Sequence, residues 1–385
     1  MSAYKDLMCF ARETFALGQV AGRLGWDQET MMPPGATAQR AEELAAMEAV
    51  LHARKTDPRI GDWLQAAQPV DEVAAANIRH LKRSFERTSR VPADLATALA
   101  KETSLAQRVW ADARANEDVA AFLPALKTVL ELKREEGDAL AAGGDVYDAL
   151  LDDYEPDMTA AALDAMFGAL RPRLVALRDR VLGATAPKGL FGQFEEAKQL
   201  ALSTTLADAF GYDFAKGRID KAVHPFSSGS GLDVRITTRT AQDDPFNCFY
   251  STIHEVGHAC YEQGVDDAYA LSALGGGVSM GVHESQSRLY ENQIGRSKGF
   301  TRWLFAQMRE TYGEFGIADP DAFYAAGNCV GSGFIRTEAD EVHYNLHVLL
   351  RFDLERDLIS GRLEVADLEA AWNTRFAADF GETVD

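Results

Sequence analysis

Cysteine and basic residues are both scarce in this chain. The four cysteines lie far apart among 385 residues and form no CxxC pair. This spacing excludes a zinc ribbon and a disulfide framework, and it favours a reducing, cytoplasmic setting. Lys and Arg number 39 against 59 Asp and Glu, which gives a formal net charge of −20. A nucleic-acid or anionic-membrane partner is not expected, because both require clustered basic side chains.

Long hydrophobic runs are absent as well. No apolar segment approaches the roughly 18 residues that a membrane span needs. Charged residues such as Lys5 and Asp6 interrupt the N-terminal segment, so no signal peptide is predicted. Hydrophobic residues still make up 46% of the chain, enough for a sizeable core. In the absence of repeats and evident linkers, the sequence predicts a single domain over residues 1–385.

Helical periodicity dominates the first half of the chain. Apolar residues at helical spacing predict helices over 71–90, from Pro92 onward, from Asp118 to before Gly143, and over 157–182. Asp118 is of the type that caps a helix N-terminus, and proline is tolerated in a first helical turn. The sequence therefore predicts a mainly α fold.

Two segments depart from this pattern. Residues 26–35 include Pro33-Pro34-Gly35 and predict an ordered loop. A packing anchor is favoured for Trp26, which stands beside two acids, and a functional role is the alternative. Residues 219–240 are enriched in Val, Ile and Thr after a Ser/Gly turn, which predicts one or two strands. Beyond Asp244 the pattern is helical again.

The strongest chemical signal is the motif HExxH at residues 254–258. On a helix, residues four apart share a face, so His254 and His258 can bind one metal ion. Glu255 lies beside that ion and can take a proton from water that zinc has acidified. The helix that carries the motif is predicted to begin at Pro245 and to end before Gly264.

A third metal ligand is needed, because catalytic zinc usually has three protein ligands. The segment that begins at Gly281 predicts a further helix, on which Glu284 and Glu291 are seven residues apart and share a face. The spacing alone does not decide which of these two glutamates is the third ligand. His283 is predicted to point elsewhere on that helix.

His343 and His347 also have helical i, i+4 spacing, but no acid or cysteine completes a ligand set around them. Substrate contact or support of the metal ligands is favoured over a second metal site. Acidic residues within 336–341 are candidates to accept hydrogen bonds from the second ring nitrogens of the ligand histidines.

Two arginines are candidates for binding a substrate carboxylate. Arg235 lies in Asp-x-Arg-x-Thr, and Arg336 lies in Ile-Arg-x-x-Ala-Asp. The planar guanidinium matches a carboxylate in a two-pronged contact. An ordinary salt bridge is the alternative for each of them.

Short motifs occur in a characteristic order along the chain. They are His-Pro-Phe at 224–226, Asp-x-Arg-x-Thr at 233–237, His-Glu-x-x-His at 254–258, His-Glu-Ser-Gln at 283–286 and Ile-Arg-x-x-Ala-Asp at 335–340. Together with Gly-Trp-Asp-Gln-Glu-Thr-x-Met-Pro-Pro at 25–34, they resemble the thermostable carboxypeptidase family over essentially the whole chain. That family comprises helical HExxH metallocarboxypeptidases like carboxypeptidase Taq.

The resemblance implies a large, mainly α metallopeptidase fold around a deep groove. A small antiparallel β-sheet is expected next to the HExxH helix. Within the single domain, residues 1–211 form a helical N-terminal part and residues 212–385 form the metal-site part. A homodimer is also implied.

The resemblance also assigns roles to individual residues. The implied metal ligands are His254, His258 and Glu284, which are expected to bind one zinc ion per chain, or alternatively cobalt. Glu255 is the implied general base. The implied substrate-binding residues are Arg235, Arg336 and His224, the last as a residue that lines the groove.

One feature of the family is missing. Its members carry a Gly-x-x-Gln-Asp-x-His-Trp motif and an aromatic, Tyr-containing segment beyond the point where this chain ends. A shortened C-terminus is therefore expected to affect groove closure and dimerisation.

We predict a metal-dependent carboxypeptidase of broad specificity that releases single residues from peptides with a free C-terminus. Metal-bound water, activated by Glu255, attacks the last peptide carbonyl. An endopeptidase or aminopeptidase with the same metal site is one alternative. A catalytically impaired, truncated homologue that acts as a metal-binding scaffold is another.

Overall fold

The computed structural model describes residues 2–331 and 333–384. The chain is mainly helical, as predicted, with one small sheet. It forms two compact units, each built from several stretches of sequence. The first contains the described residues up to Asp153, with Ser228–Arg235 and Tyr261–Val278. The second contains Tyr154–Ser227, Ile236–Cys260 and the described residues from Ser279 onward.

The first unit is built around helices from the N-terminal half. They are α1 (Ala3–Thr30), α2 (Thr37–Lys55), α3 (Pro58–Ala66), α4 (Glu72–Thr88), α5 (Ala93–Ala115), α6 (Val119–Ala141) and α7 (Val146–Leu151). Asp71 and Asp118 cap α4 and α6 by accepting hydrogen bonds from backbone N–H groups, at 2.7 and 3.0 Å. Helix α2 packs on α1 and α5, and α6 packs on α5 and α7.

Helix α1 continues into the segment that was predicted as a loop. It runs to Thr30, so the prediction is wrong for residues 26–30, and the chain leaves the helix only ahead of Pro33. Trp26 is 6% exposed. The Asp27 carboxylate accepts a hydrogen bond from Nη2 of Arg40 in α2, at 2.6 Å. A proline restricts only the residue directly before it, so Pro33 does not prevent a helix over residues 26–30. Packing of Trp26 and the Asp27–Arg40 ion pair keep these last turns of α1 helical.

The second unit contains the remaining helices. They are α8 (Ala160–Leu182), α9 (Glu196–Ala209), α10 (Pro245–Gln263, which reaches into the first unit at its end), α11 (Met280–Arg288), α12 (Lys298–Tyr312), α13 (Pro320–Gly327), α14 (Glu341–Ile359) and α15 (Leu368–Phe380). A π-helical segment, Leu289–Ile294, directly follows α11. Within the described ranges, no helix has the length and apolar character needed to cross a bilayer.

An aromatic core fixes the helix that carries HExxH. The buried side chains Phe249 and Ile253 of α10 belong to a cluster with Leu304, Phe315 and Phe323, all at most 1% exposed. Burying large apolar side chains stabilises a helix by roughly 1.5–3 kcal/mol each. Helix α10 is therefore held in place by packing.

The small sheet consists of β1 (Ile219–Lys221), β2 (Ser227–Ser230) and β3 (Asp233–Thr238), with β3 in the centre. Strands β1 and β3 are parallel, with Ile219 opposite Ile236, so the prediction of an antiparallel sheet is wrong for this pair. The physical reason is the order of the strands. A two-residue turn reverses the chain between β2 and β3, and β3 then returns beside β1 in the same direction.

The sheet contacts the HExxH helix, as expected. The hydroxyl of Thr238, at the end of β3, donates a hydrogen bond to the carbonyl oxygen of Cys248 in α10, at 3.2 Å. The backbone N–H of Thr237 donates to the carbonyl oxygen of Phe226, at 2.9 Å. These bonds join the His-Pro-Phe and Asp-x-Arg-x-Thr motifs and attach the sheet to α10.

Candidate metal centre

The three predicted metal ligands lie close together in the second unit. His254 and His258 lie on one face of α10, and Glu284 approaches them from α11. Glu284 Oε2 is 3.3 Å from Nε2 of His258 and 3.7 Å from Nε2 of His254. One donor atom from each of the three side chains lies within 4.8 Å of the others. In the described part of the chain, this is the one group of His, Cys, Asp and Glu with such a geometry.

A glycine allows the two ligand-bearing helices to approach each other. A Cβ atom on Gly257 of α10 would lie 2.6 Å from the Cα atom of Ser287 and 2.8 Å from the carbonyl oxygen of Gln286, both in α11. Only glycine permits such close backbone contact. The glycine inside HExxH thus brings Glu284 to the two histidines.

Each ligand histidine is oriented through its other ring nitrogen. His254 Nδ1 lies 2.9 Å from Oε2 of Glu291, and His258 Nδ1 lies 2.7 Å from Nδ1 of His283. When both ligand histidines donate through Nδ1–H, their Nε2 lone pairs face Glu284. Such contacts fix the tautomer and the ring orientation of a metal ligand.

Sequence reasoning missed both of these orienting partners. His283 was predicted to point elsewhere, yet it contacts His258. Acidic residues within 336–341 were predicted to accept the second ring nitrogens, but Glu291 does so for His254. Asp340 has different partners, because its carboxylate accepts hydrogen bonds from the N–H groups that begin α14 and from Nδ1 of His343.

The π-helical segment separates the two glutamates that spacing left open. Glu284 lies in α11 and Glu291 lies in the π-helical segment, so the two no longer follow one regular α-helical repeat. Glu284 meets the Nε2 side of His254, and Glu291 meets the Nδ1 side. Glu291 is also bound by Arg288 at 3.0 Å and by Arg296 at 3.5 Å. Glu291 therefore contacts His254 on the side opposite Glu284.

Glu255 lies directly beside this group and is 5% exposed. Its Oε2 atom is buried and has no hydrogen-bond partner among the described residues. Burial raises the pKa of Glu255 to about 7, and the nearby charges of Glu284 and Glu291 add to this shift against the opposing effect of His254. A buried polar atom without a hydrogen-bond partner is costly in a folded protein, so Oε2 of Glu255 points to a functional role.

The pKa shifts of the three donors differ. Burial alone would lower the pKa of His254, but its hydrogen bond to Glu291 and the charge of Glu255 outweigh burial and raise that pKa. Burial lowers the pKa of His258, as does the neighbouring His254, which favours the neutral ring that binds metals. Burial alone would raise the pKa of Glu284, but His258, His254 and Arg288 outweigh it and lower the pKa to about 2. A metal ion binds the neutral form of both imidazoles, and two imidazoles with one carboxylate are a donor set that fits a divalent metal.

The second histidine pair belongs to the core of the second unit. His343 and His347 of α14 are 1% and 0% exposed, and both contact the ring of Phe380. His347 Nε2 donates to the carbonyl oxygen of Gly333, and its Nδ1 accepts from Arg351, both at 3.2 Å. These partners give the pair a packing and hydrogen-bonding role.

The three predicted substrate-binding residues have different surroundings. Arg336 is half-buried in the second unit, and its Nη1 donates to the Tyr344 hydroxyl at 2.7 Å. Arg235 lies in the first unit, where Nε and Nη2 bind the carboxylate of Asp233 at 2.7 and 3.0 Å. His224 is exposed, between β1 and β2.

Comparison with known proteins identifies the family of the chain. The family model of the carboxypeptidase Taq (M32) metallopeptidases matches residues 6–385. The chain belongs to this family. Its members are metal-dependent carboxypeptidases, so the chain is a peptide hydrolase that requires a divalent metal.

Several relatives of this M32 chain are known. It is 40% identical to thermostable carboxypeptidase 1 of Thermus thermophilus, over 99% of this chain and 78% of the relative. It is 32% identical to carboxypeptidase 1 of Bacillus subtilis, over 93% of this chain and 73% of the relative. The crystal structure of the M32 carboxypeptidase of Deinococcus radiodurans superposes with a TM-score of 0.89 at 37% identity, over 99% of this chain and 78% of that one.

Proposed function

We propose that this M32 chain releases single residues from the free C-termini of peptides with broad specificity, and that Glu255 is its general base. The observation that carries the proposal is the buried, unpaired Oε2 of Glu255 next to His254, His258 and Glu284. A carboxylate whose pKa is raised to about 7 can both accept and return a proton near neutral pH.

His254, His258 and Glu284 would hold the metal, which we propose to be zinc because two imidazoles and a carboxylate are a common catalytic zinc set. Zinc bound there would polarise a carbonyl and lower the pKa of water. Glu255 accepts a proton from the attacking water and then delivers it to the amine of the departing residue. Glu291 and His283 keep the two imidazoles oriented during these steps.

Arg336 is the proposed partner of the substrate's terminal carboxylate. Among the described residues, no carboxylate pairs with its guanidinium, and only Nη1 is engaged, with Tyr344. Arg235 already directs two nitrogens at Asp233, so we rank it second. The assignment of His224 to the substrate groove rests on the family resemblance alone.

Two measurements test the proposal. The Glu255→Gln variant is expected to lose at least about 100-fold in turnover, the usual contribution of general acid–base catalysis, while it still binds stoichiometric zinc. A peptide with a free C-terminus should be hydrolysed by the native chain, whereas its C-terminal amide should be spared. Full activity of zinc-loaded Glu255→Gln protein would refute the role of Glu255, and equal cleavage of the amide would favour an endopeptidase or aminopeptidase.

A further inference from the structure

The metal ligand Glu284 has two oxygens with different surroundings. Oε2 faces the imidazoles of His254 and His258, at 3.7 and 3.3 Å. Oε1 faces away from them and accepts two hydrogen bonds, one from Nε of Arg288 and one from the hydroxyl of Tyr344, each at 3.2 Å. The orientation of this carboxylate therefore depends on groups outside the ligand set.

Tyr344 also contacts the proposed carboxylate-binding arginine. Its hydroxyl oxygen accepts a hydrogen bond from Nη1 of Arg336 at 2.7 Å, while its proton is directed to Oε1 of Glu284. A hydroxyl can accept and donate at once, which makes it suited to link a cation to a carboxylate. One side chain thus touches both the metal-ligand carboxylate and Arg336.

The rest of the second unit holds Tyr344 in place. The Arg288 guanidinium lies 3.4 Å from the centroid of the Tyr344 ring. The side chain of Asp340 caps the first turn of α14, four residues before Tyr344. The Ile-Arg-x-x-Ala-Asp motif therefore supplies Arg336, which binds the hydroxyl, and Asp340, which fixes the helix that carries it.

We propose that Tyr344 is a positioning residue that couples the carboxylate-binding Arg336 to the metal ligand Glu284. The proposal rests on the proposed role of Arg336 in the function above. Coupling of this kind is reciprocal: a carboxylate bound at Arg336 changes the affinity of the site for metal, and bound metal changes the affinity for the carboxylate by the same factor. Tyr344 thereby links recognition of the substrate terminus to the metal centre.

Zinc affinity provides a test that does not depend on turnover. We would measure the zinc dissociation constant by competition with a chromophoric chelator. Tyr344→Phe, which keeps the ring and removes the hydroxyl, is expected to bind zinc about 10-fold more weakly, as for loss of an outer hydrogen bond to a metal ligand. Its KM for a peptide with a free C-terminus should also be raised, because Arg336 loses the hydrogen bond to the Tyr344 hydroxyl that holds it in place. Native zinc affinity in the folded variant would overturn the proposal.

Tyr324→Phe is the matched control. Tyr324 lies on α13 beside Lys298 and should keep native zinc affinity and KM. An equal loss of zinc affinity in both variants would overturn the specific role of Tyr344.

A second measurement keeps Tyr344 native. In Glu255→Gln protein, where peptide stays intact, a saturating free-carboxylate peptide should change the zinc dissociation constant several-fold relative to its amide. Equal effects of the two peptides would overturn the coupling. If the chain binds zinc but hydrolyses no peptide, the proposed function fails, while the zinc affinities still decide the role of Tyr344.

Discussion

The Nδ1 atom of His254 lies 2.9 Å from Oε2 of Glu291, while its Nε2 atom lies 3.7 Å from Oε2 of Glu284. Two carboxylates, seven residues apart in sequence, therefore approach opposite edges of one imidazole ring. Only the carboxylate on the Nε2 side lies near His258 as well. We therefore propose that Glu284 joins the metal ligands, and that Glu291 sets the orientation and tautomer of His254.

Glu291→Gln should weaken zinc binding about 10- to 100-fold, the usual cost of losing an outer partner of a metal ligand. Glutamine lacks the charge that accepts strongly from His254 and that neutralises Arg288 and Arg296. Competition with a chelator measures the effect. Glu310→Gln, at an exposed position of α12, is the control and should bind zinc normally. Native affinity in Glu291→Gln would show that the hydrogen bond to His254 is dispensable.

Gly257→Ala should destabilise the fold by about 1–3 kcal/mol, as expected for forced overpacking. The added Cβ would collide with the backbone of α11 at Ser287 and Gln286, so zinc affinity should fall as Glu284 moves away. Denaturant unfolding and a zinc titration measure both effects. Gly168→Ala in α8 is the control, since nothing lies within 4 Å of its new Cβ, and it should gain about 0.5–1 kcal/mol. Equal stabilities of the two variants would contradict the close contact.

The stability of the chain should depend on His347 in mildly acidic solution. Burial, and then the charge of Arg351, lowers the pKa of His347 from 6.5 to about 4. Because the unfolded chain binds this proton more readily, the contribution to stability is present above pH 6.5 and is lost as the pH falls toward 4. The slope from this one group is at most about 1.4 kcal/mol per pH unit.

Urea unfolding of the native chain and of His347→Gln, at intervals from pH 7 to 4.5, tests this dependence. The variant should lose stability less steeply as the pH falls, since glutamine does not titrate. Parallel curves for the two proteins would show that His347 does not take up a proton on unfolding in this range.

Removal of the metal by a chelator should abolish hydrolysis and leave the helices in place. The side chains of Phe249 and Ile253 anchor α10 in the apolar core, and neither side chain can bind a metal. Bound zinc should add about 2.7 kcal/mol of stability at a free concentration 100 times its dissociation constant. Circular dichroism and thermal unfolding measure the two effects. A loss of helical signal on chelation would mean that the metal is required for folding.

Short-range patterns made much of this structure predictable. The start of α10 at Pro245 and its end before Gly264 follow from cap and breaker residues. Helical spacing places His254 and His258 on one face. The motif order that resembles the M32 family points to Glu284, and the structure brings this residue to the two histidines.

What the sequence could not predict depends on contacts between distant residues. Trp26 to Thr30 remain helical because of packing and the Asp27–Arg40 ion pair, although proline follows. The parallel pairing of β1 with β3 depends on the order of strands in space. The contact of Tyr344 with Glu284 spans 60 positions of sequence and has no local signal.

The π-helical segment Leu289–Ile294 changes the angular spacing of side chains around the helix axis. An α-helix advances about 100° per residue. A π-helical turn contains about one residue more than an α-helical turn, because its hydrogen bonds join residues five apart instead of four. The number of residues in this segment therefore determines the direction in which its side chains point. Deleting Leu289 or Tyr290, so that a regular α-helix forms, would therefore leave the residues of the site unchanged and would still move Glu291 away from Nδ1 of His254.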